Sequence, residues 1–325
     1  MYLKLLQGQI AMHVAILGAG PMACEYSKVL HSLQIPFTVI GRSQTSIINF
    51  QNTTGFTAIA GGYESYFTNH QHSFSHAIIA VGEKQLGAAT RAAIQAGISS
   101  ILVEKPGGID SEDIRLVADT AKSNQAHVYV GYNRRFYASV EKAKSIIEED
   151  GGLLSFNFEF TEWGHVIADL KKEEGVKENW FLANSSHVID LAFYIGGTPK
   201  VLNSYTSGSL TWHPNAAIYA GSGITENGAL FSYQANWQAP GRWALEFLTR
   251  KHRLYFKPIE KLQIQNLGSV ALEEVALDDS LDYDFKPGLF KQTQAFMSNP
   301  ESLPSIEEQV NMLSWYEQIN KPSTL

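Results

Sequence analysis

The chain has 325 residues, of which 44% are hydrophobic and 18% are charged, with a formal net charge of -7. This length predicts two domains of about 100 to 200 residues each, and the acidic balance excludes the basic face that nucleic-acid binding requires. A single cysteine, Cys24, excludes an intramolecular disulfide, and no apolar run reaches the ~20 residues of a membrane span. Because residues 1–8 also lack the pattern of a secretion signal, we expect a cytoplasmic protein.

Short apolar runs alternate with helical segments from residue 12 to about residue 131. This alternation predicts an α/β domain with a doubly wound parallel sheet covered by crossover helices. The strand candidates are residues 13–17, 37–40, 77–81, 101–104 and 128–131. The helix candidates are residues 21–33, 84–96 and 111–123, the last with Ser111 as its capping residue.

A glycine-rich turn follows the first strand candidate directly and leads into a helix candidate. It has the sequence Gly18-Ala19-Gly20-Pro21-Met22-Ala23, which matches G-x-G-x-x-G/A. The first glycine permits a tight turn, the second lets the backbone approach a pyrophosphate, and the small third residue lets helix and strand pack closely. The turn therefore predicts a dinucleotide site at Gly18, Gly20, Pro21, Met22 and Ala23.

The end of the second strand candidate indicates which dinucleotide binds. An NAD-type site usually has Asp or Glu there, but no carboxylate occurs between Glu25 and Glu64. Instead, Arg42 offers a planar cation for a 2′-phosphate, and Ser43 adds a hydroxyl donor. We therefore predict NADP(H) in preference to NAD(H), the alternative being that Arg42 is a solvated loop residue.

Three histidines, His70, His72 and His76, lie in a polar connection. No cysteine or carboxylate stands at ligand spacing from them, so we expect a solvated loop and no metal site.

Lys105 follows the strand candidate at 101–104. This position is the carboxyl edge of a parallel sheet, where ligands of such sheets bind. We therefore expect Lys105 to take part in chemistry, with an exposed lysine after a strand as the alternative.

The pattern changes after residue 132, where long β-like runs with aromatic and alternating character begin. They occupy residues 153–163, 201–207, 229–237, 243–249 and 253–256, with helix candidates at 135–149, 183–195, 288–298 and 305–319. These runs predict a second, α+β domain with an open-faced, mostly antiparallel sheet, and the last two helices are expected to pack back on the body. An exposed apolar sheet face there would favour a homodimer or homotetramer.

Four motifs together resemble those of the Gfo/Idh/MocA oxidoreductases, the family of glucose-fructose oxidoreductase and inositol dehydrogenase. They are the glycine turn, the triplet Glu104-Lys105-Pro106, the junction GYNRRF at 131–136 and the helix motif SHVID at 186–190. The resemblance spans nearly the whole chain. It implies a Rossmann dinucleotide-binding domain at 1–131 and a substrate-binding and oligomerisation domain at 132–325. It also implies hydride transfer at a hydroxyl or carbonyl carbon of a sugar, sugar derivative or cyclitol.

By this resemblance Lys105 is the catalytic lysine and His187 the acid/base. Hydride leaving a carbinol carbon builds charge on its oxygen, so an ammonium donor beside an imidazole that takes the proton lowers the barrier. Relatives commonly carry an aspartate four residues before the histidine, where this chain has Ala183. Asn184 and Asp190 remain as partner candidates, although asparagine is no base and Asp190 alternatively anchors the helix.

The family often has a Thr-Pro pair and a histidine beside the nicotinamide ribose, where this chain has Ala80-Val81-Gly82. Backbone contact with the cofactor is still expected from Ala80 and Val81. Glu104 and Lys105 complete the expected cofactor site.

Substrate contacts are expected from Tyr132, Asn133 and Arg134, because they lie where the chain crosses between the domains. Candidates for a rim on which sugar rings stack are the segments Glu162-Trp163-Gly164-His165, Asn179-Trp180 and Trp212-His213. Asn184 and Asp190 complete the set of expected substrate contacts. Salt-bridge or solvent-exposed roles for the junction residues, and core or dimer-interface packing for the tryptophans, are the alternatives.

Three functional hypotheses are compatible with the sequence. The first is an NADP(H)-dependent oxidoreductase acting on a sugar or cyclitol. The second is a sensor that binds the nucleotide without catalysis, for which Ala183 is the hint, and the third is a redox-neutral relative that uses bound NAD in glycoside cleavage. Retention of Lys105 and His187 favours an enzyme over the sensor.

Overall fold

The computed structural model describes residues 12–70 and 74–320, and the chain divides by its internal contacts into two compact units. Of the described residues, the first unit contains 12–131 and 289–310, and the second unit contains 132–288 and 311–320. The segment 289–310 therefore groups with the first unit, whereas the sequence prediction assigns everything after residue 131 to the second domain.

The first unit is built on a parallel sheet, which confirms the doubly wound prediction. Its six described strands have the order β3-β2-β1-β4-β5-β6, and all neighbours are parallel. The strands are β1 Val14–Leu17, β2 Phe37–Ile40, β3 Ala58–Ile59, β4 His76–Ile79, β5 Ser100–Glu104 and β6 His127–Gly131. Because the chain order reverses between β1 and β4, their carboxyl ends open the crevice in which such sheets bind ligands.

Helices connect these strands. They are α1 Pro21–Ser32, α2 Gln44–Thr54, α3 Gly62–Asn69, α4 Leu86–Gln95 and α5 Ser111–Ser123. The N-cap of α5 is Asp110, whose carboxylate accepts a 2.9 Å hydrogen bond from the Asp113 N–H. The predicted cap, Ser111, is therefore wrong by one residue, because an extended aspartate caps a helix as well as serine does.

The second unit contains a mostly antiparallel sheet, as predicted. Its eight described strands have the order β14-β13-β12-β11-β7-β10-β9-β8, and among them only β7 and β10 pair in parallel. The strands are β7 Ser155–Glu159, β8 Pro199–Ser207, β9 Ile218–Thr225, β10 Leu230–Asn236, β11 Ala244–Leu248, β12 His252–Phe256, β13 Gln263–Asn266 and β14 Glu273–Glu274.

The remaining described α-helices follow or interrupt this sheet. They are α6 Ala138–Glu149, α7 Gly164–Asp169, α8 Ser186–Gly196, α9 Ser280–Asp284, α10 Leu289–Ser298 and α11 Ile306–Asn320. Within the first unit α10 packs on α1, and Phe296 meets the His76 ring edge to face, so this part of the tail packs back on the body as predicted. None of the described helices combines the length and hydropathy that a membrane span needs.

The two faces of the second sheet differ in polarity. Phe156 and Phe158 of β7 are buried and pack edge to face against Phe193 of α8. The centre of the opposite face carries polar side chains, namely Asn157, Glu159, Ser232, Gln234 and Glu246. The expectation of an apolar open face is therefore corrected: strand alternation turns the aromatic residues toward α8, and exposed apolar side chains such as Val201 and Leu230 lie toward one end.

Candidate functional site

The turn after β1 requires glycine at its first position. Gly18 has a φ of 113°, and a Cβ placed there would lie 2.3 Å from the Ala80 carbonyl oxygen. The Ala80 N–H in turn donates to the Leu17 carbonyl over 2.8 Å, and the Val81 nitrogen lies 3.2 Å from the same Cβ position. The glycine turn and the predicted contact residues Ala80 and Val81 therefore lie side by side.

The second half of the turn leaves space for a ligand. A Cβ on Gly20 would meet no atom within 4 Å. Gly20 is the N-cap of α1, Pro21 takes its first position, and no side chain caps the helix. Met22 is half-buried and Ala23 is fully buried, as a close helix–strand contact requires. Uncapped amides at the positive end of a helix suit a pyrophosphate, so these residues fit a dinucleotide.

Arg42 and Ser43 follow β2 and are both exposed. A Cβ on Gly62, the first residue of α3, would lie 3.9 Å from Cα and Cγ of Arg42, which places Arg42 at the start of α3. Ser43 is the N-cap of α2, and its Oγ accepts a 3.2 Å bond from the Ser46 N–H. Arg42 thus extends from the strand end, whereas the Ser43 hydroxyl also serves its own helix.

The end of β5 is fixed by side-chain hydrogen bonds within the first unit. The Tyr26 hydroxyl donates to Glu104 Oε1 over 2.6 Å and accepts a 3.0 Å bond from the Gln292 amide. Burial, reinforced by the Glu104 charge, raises the pKa of Tyr26, so the phenol keeps the proton that it donates. Lys105 follows directly, is half-buried, and is joined to Pro106 by a cis peptide bond.

His187 lies in the first turn of α8 in the second unit. A π-helical turn, Phe181–Ser185, precedes it, and such turns are frequent at functional sites. The imidazole is buried, meets the ring of the fully buried Tyr132 edge to face at 5.8 Å, and lies 6.2 Å from the Trp243 ring. Packing therefore fixes the orientation of the histidine ring.

A buried carboxylate lies near this histidine segment. Glu162 is 1% exposed, and its Oε1 accepts bonds from Asn184 Nδ2 at 2.8 Å and from Ser185 Oγ at 2.9 Å. Its Oε2 faces Arg242 at 3.4 Å. Asn184, predicted as a partner of His187, thus gives its amide to Glu162. From the sequence, Glu162 is expected only as part of the rim segment around Trp163. Arg242 is not expected as a site residue, because its only local signal is the neighbouring Trp243.

Asp190, the other predicted partner of His187, is held by an arginine. Arg135 Nε and a terminal nitrogen donate to its two carboxylate oxygens over 2.9 and 2.6 Å. The Asp190 side chain is 4% exposed, so this bidentate pair is buried. This geometry matches the alternative in which Asp190 anchors the helix.

The junction residues 132–134 have different surroundings. Asn133 Nδ2 donates to the Pro287 carbonyl over 2.9 Å, which ties the junction to the segment before α10. Arg134 is half-buried, and its Cζ lies 4.8 Å from the Trp243 ring centroid. Of the three junction residues, Tyr132 and Arg134 are thereby brought into the aromatic surroundings of His187.

The predicted aromatic rim separates into two groups. Trp163 is 49% exposed, with Nε1 bonded to the Gly241 carbonyl and the Arg242 guanidinium 4.9 Å from its ring. Trp180 is buried and meets Trp212 edge to face. Burial also lowers the pKa of His213, which packs against Trp237. Trp163 therefore remains available at the surface, whereas Trp180 and His213 belong to the core.

The histidine cluster is only partly visible, because His72 lies outside the described residues. His70 stacks on Tyr66 at 4.4 Å, and His76 Nδ1 lies 2.7 Å from Ser75 Oγ. Within residues 12–70 and 74–320, no group of three or more His, Cys, Asp or Glu side chains is arranged to hold a metal.

Comparison with known proteins gives a family match for the N-terminal part of the chain. Residues 12–132 match the model of the Gfo/Idh/MocA oxidoreductase family with its NAD-binding Rossmann fold. The matched region contains the glycine turn, Arg42 and the Glu104-Lys105-Pro106 triplet, and the match confirms the predicted resemblance to an NAD(P)-dependent oxidoreductase family over residues 12–132. A search of curated proteins finds no match to the chain.

Solved structures share the fold along nearly the entire length. Levoglucosan dehydrogenase in complex with NADH and levoglucosan has 18% sequence identity, a TM-score of 0.76 and coverage of 95% of this chain and 96% of its own. UDP-N-acetylglucosamine 3-dehydrogenase from Acidithiobacillus ferrooxidans has 14% identity, a TM-score of 0.72 and coverages of 95% and 96%. A protein from Desulfitobacterium hafniense named as an NADPH-dependent oxidoreductase has 15% identity, a TM-score of 0.77 and coverage of 94% of both chains.

Proposed function

We propose that the protein is an NADP(H)-dependent oxidoreductase that transfers hydride to or from a hydroxyl or carbonyl carbon of a sugar, sugar derivative or cyclitol. The observation that carries this proposal is the fit of a dinucleotide to the turn at Gly18 and Gly20, inside a unit that matches an oxidoreductase family. Two proteins of similar fold are named for levoglucosan and for UDP-N-acetylglucosamine, which supports a sugar-like substrate.

The choice of NADP(H) rests on Arg42. Its guanidinium is exposed at the end of β2, where the adenosine ribose lies in folds of this type, and it can pair bidentately with a 2′-phosphate. No carboxylate occurs between Glu25 and Glu64, so none stands at the end of β2 to bind ribose hydroxyls. Proteins of similar fold include one bound to NADH and one named as NADPH-dependent, so they support a nicotinamide cofactor without favouring either form.

Each proposed catalytic side chain has a distinct task. The bound cofactor supplies the hydride acceptor or donor. The Lys105 ammonium donates a hydrogen bond to the carbinol oxygen as negative charge builds there. The His187 imidazole takes the hydroxyl proton in oxidation and returns it in reduction. Ala183 has no carboxylate to share this transfer, and Asn184 is bonded to Glu162, so His187 itself carries the proton step.

A nicotinamide absorbance assay over a panel of sugars, sugar acids, nucleotide sugars and cyclitols tests the proposal. With NADP⁺ or NADPH supplied in excess, we expect net conversion of the cofactor with at least one member. If the cofactor instead copurifies with the protein and shows no net oxidation or reduction while a glycoside is consumed, the chemistry is redox-neutral. Tight cofactor binding with no change in any substrate would indicate a sensor.

A further inference from the structure

Two arginines share one indole in the second unit. The Cζ atoms of Arg134 and Arg242 lie 4.8 and 4.6 Å from the Trp243 ring centroid. Trp243 is 5% exposed, and its ring lies 6.2 Å from that of His187. Two guanidinium groups therefore pack on the indole that lies next to His187, the residue that we assign to proton transfer.

Of the two arginines, only Arg242 has a carboxylate within salt-bridge distance among the described residues. Arg242 faces the buried Glu162 at 3.4 Å. Arg134 forms no salt bridge or side-chain hydrogen bond with any described residue, and its Nε is enclosed without an acceptor. Burial lowers the pKa of Arg134 most, the Arg242 charge adds to that lowering, and Tyr137, Glu260 and Glu162 raise the pKa without any of their side chains forming a salt bridge with Arg134. A guanidinium nevertheless stays charged at ordinary pH, so Arg134 is a cation without a direct counterion among the described side chains.

Stacking prepares this cation for a ligand. A guanidinium packed against an indole has already lost much of its rotamer freedom, so less entropy is lost when it binds. Its planar fork matches two oxygens of a carboxylate or phosphate, and such charge-assisted bonds are roughly twice as strong as bonds between neutral groups. A neutral hydroxyl would accept a weaker hydrogen bond from the guanidinium and could not bind both of its nitrogens as a carboxylate or phosphate does.

We propose that the substrate carries a negatively charged oxygen group, a carboxylate or a phosphate, which Arg134 binds with Arg242 beside it. The placement of this group next to the reacting carbon rests on the proposed function, because only that function assigns His187 to catalysis. The charged group distinguishes sugar acids, sugar phosphates and nucleotide sugars from neutral sugars and cyclitols.

Equilibrium binding to matched pairs of ligands tests this inference without requiring turnover. The probes are D-galacturonate against D-galactose and D-glucose 6-phosphate against D-glucose, measured by calorimetry and by tryptophan fluorescence. We expect the anionic member of at least one pair to bind about tenfold more tightly or better, because hydrogen bonds to charged groups add more affinity than neutral ones. The pair that shows the difference tells carboxylate from phosphate.

Variants of Arg134 assign the effect to this side chain. Arg134→Gln is expected to lower affinity for the anion about tenfold while changing affinity for the neutral partner less than about twofold. Arg134→Lys keeps the charge without the planar fork and should fall between the two. Arg250→Gln removes an exposed arginine elsewhere in the same unit and should change neither affinity.

The possible outcomes separate this inference from the proposed function. Equal affinities within both pairs, including no measurable binding of any probe, overturn it, as does an equal loss for anion and neutral ligand in Arg134→Gln and Arg134→Lys. Charge-dependent binding with no hydride transfer to or from any substrate would support the anion site and contradict the proposed function. If neutral sugars and their anionic counterparts undergo hydride transfer with equal kcat/KM, the proposed function is supported and the anion site is contradicted.

Discussion

The glycine turn after β1 and the arginine–tryptophan cluster of the second unit are built in opposite ways. The turn is one run of consecutive residues, 18–23, and it offers backbone amides to a ligand. The cluster of Arg134, Glu162, His187, Arg242 and Trp243 draws on four separated segments and offers side-chain charges. A contiguous backbone motif is readable in a sequence, whereas a cluster of this kind becomes visible only when the fold brings its segments together.

This difference also determines how substitutions act. The turn depends on the absence of a Cβ, so substitution of its glycines should cause a steric clash within the protein or block the space for a ligand. The cluster depends on charge and ring packing, so its variants should change proton transfer and substrate choice.

Lys105→Met should have the largest effect. Loss of the ammonium removes stabilisation of the developing oxyanion, so we expect kcat to fall by about 10²- to 10⁴-fold. Steady-state kinetics with the best substrate of the panel measure this. Lys122→Met, which removes an exposed lysine from the last turn of α5, should leave kcat unchanged. Turnover near that of the wild type in Lys105→Met would refute the assigned role.

Asp190→Asn should strongly destabilise the second unit. It leaves Arg135 without its buried, bidentate partner, and breaking such a pair costs about 3–5 kcal/mol of unfolding free energy. Denaturant unfolding measures this loss, and adding Arg135→Gln should restore part of it. If Asp190 instead served His187 in proton transfer, the double variant would show an altered pH profile of kcat, which we do not expect.

Gly18→Ala should destabilise the first unit by about 2–4 kcal/mol, because it adds both positive-φ strain and a clash with the Ala80 carbonyl. Gly97 is the matched control, since its φ is also positive, at 87°, but a Cβ there meets no atom within 4 Å. Gly97→Ala should therefore cost only about 1 kcal/mol. Equal losses in the two variants would show that the contact with Ala80 is unimportant.

Gly20→Ala should have the smallest effect on stability and a selective effect on the cofactor. A methyl group there meets no protein atom within 4 Å, so the melting temperature should stay close to that of the wild type. The methyl group would occupy the space expected for the pyrophosphate, and we predict about a tenfold rise in the KM for NADPH. An unchanged KM would mean that the pyrophosphate does not approach Gly20.

The sequence predicts features that depend on local chemistry. The parallel order of the first sheet follows from buried apolar strands between helices, but β3 is missed because two residues carry too little periodicity. The structure corrects the N-cap of α5 from Ser111 to Asp110, a choice between adjacent residues of similar capping chemistry. Some side-chain pairs could not be predicted, because their partners are far apart in the chain and no local pattern indicates them. Arg135 pairs with Asp190, which is 55 positions away, and Glu162 pairs with Asn184 and Arg242, which are 22 and 80 positions away.

The ratio of kcat/KM for NADPH to that for NADH, measured for the wild type and for Arg42→Ala, tests the central claim most directly. We predict a preference of about tenfold or more for NADPH in the wild type, because a charge-assisted bond to the 2′-phosphate is available only in that cofactor. Arg42→Ala should lose this preference while its kcat/KM for NADH stays unchanged, and Arg115→Ala, on the exposed surface of α5, should resemble the wild type. A wild-type preference for NADH, or an NADPH preference that survives in Arg42→Ala, would contradict the account.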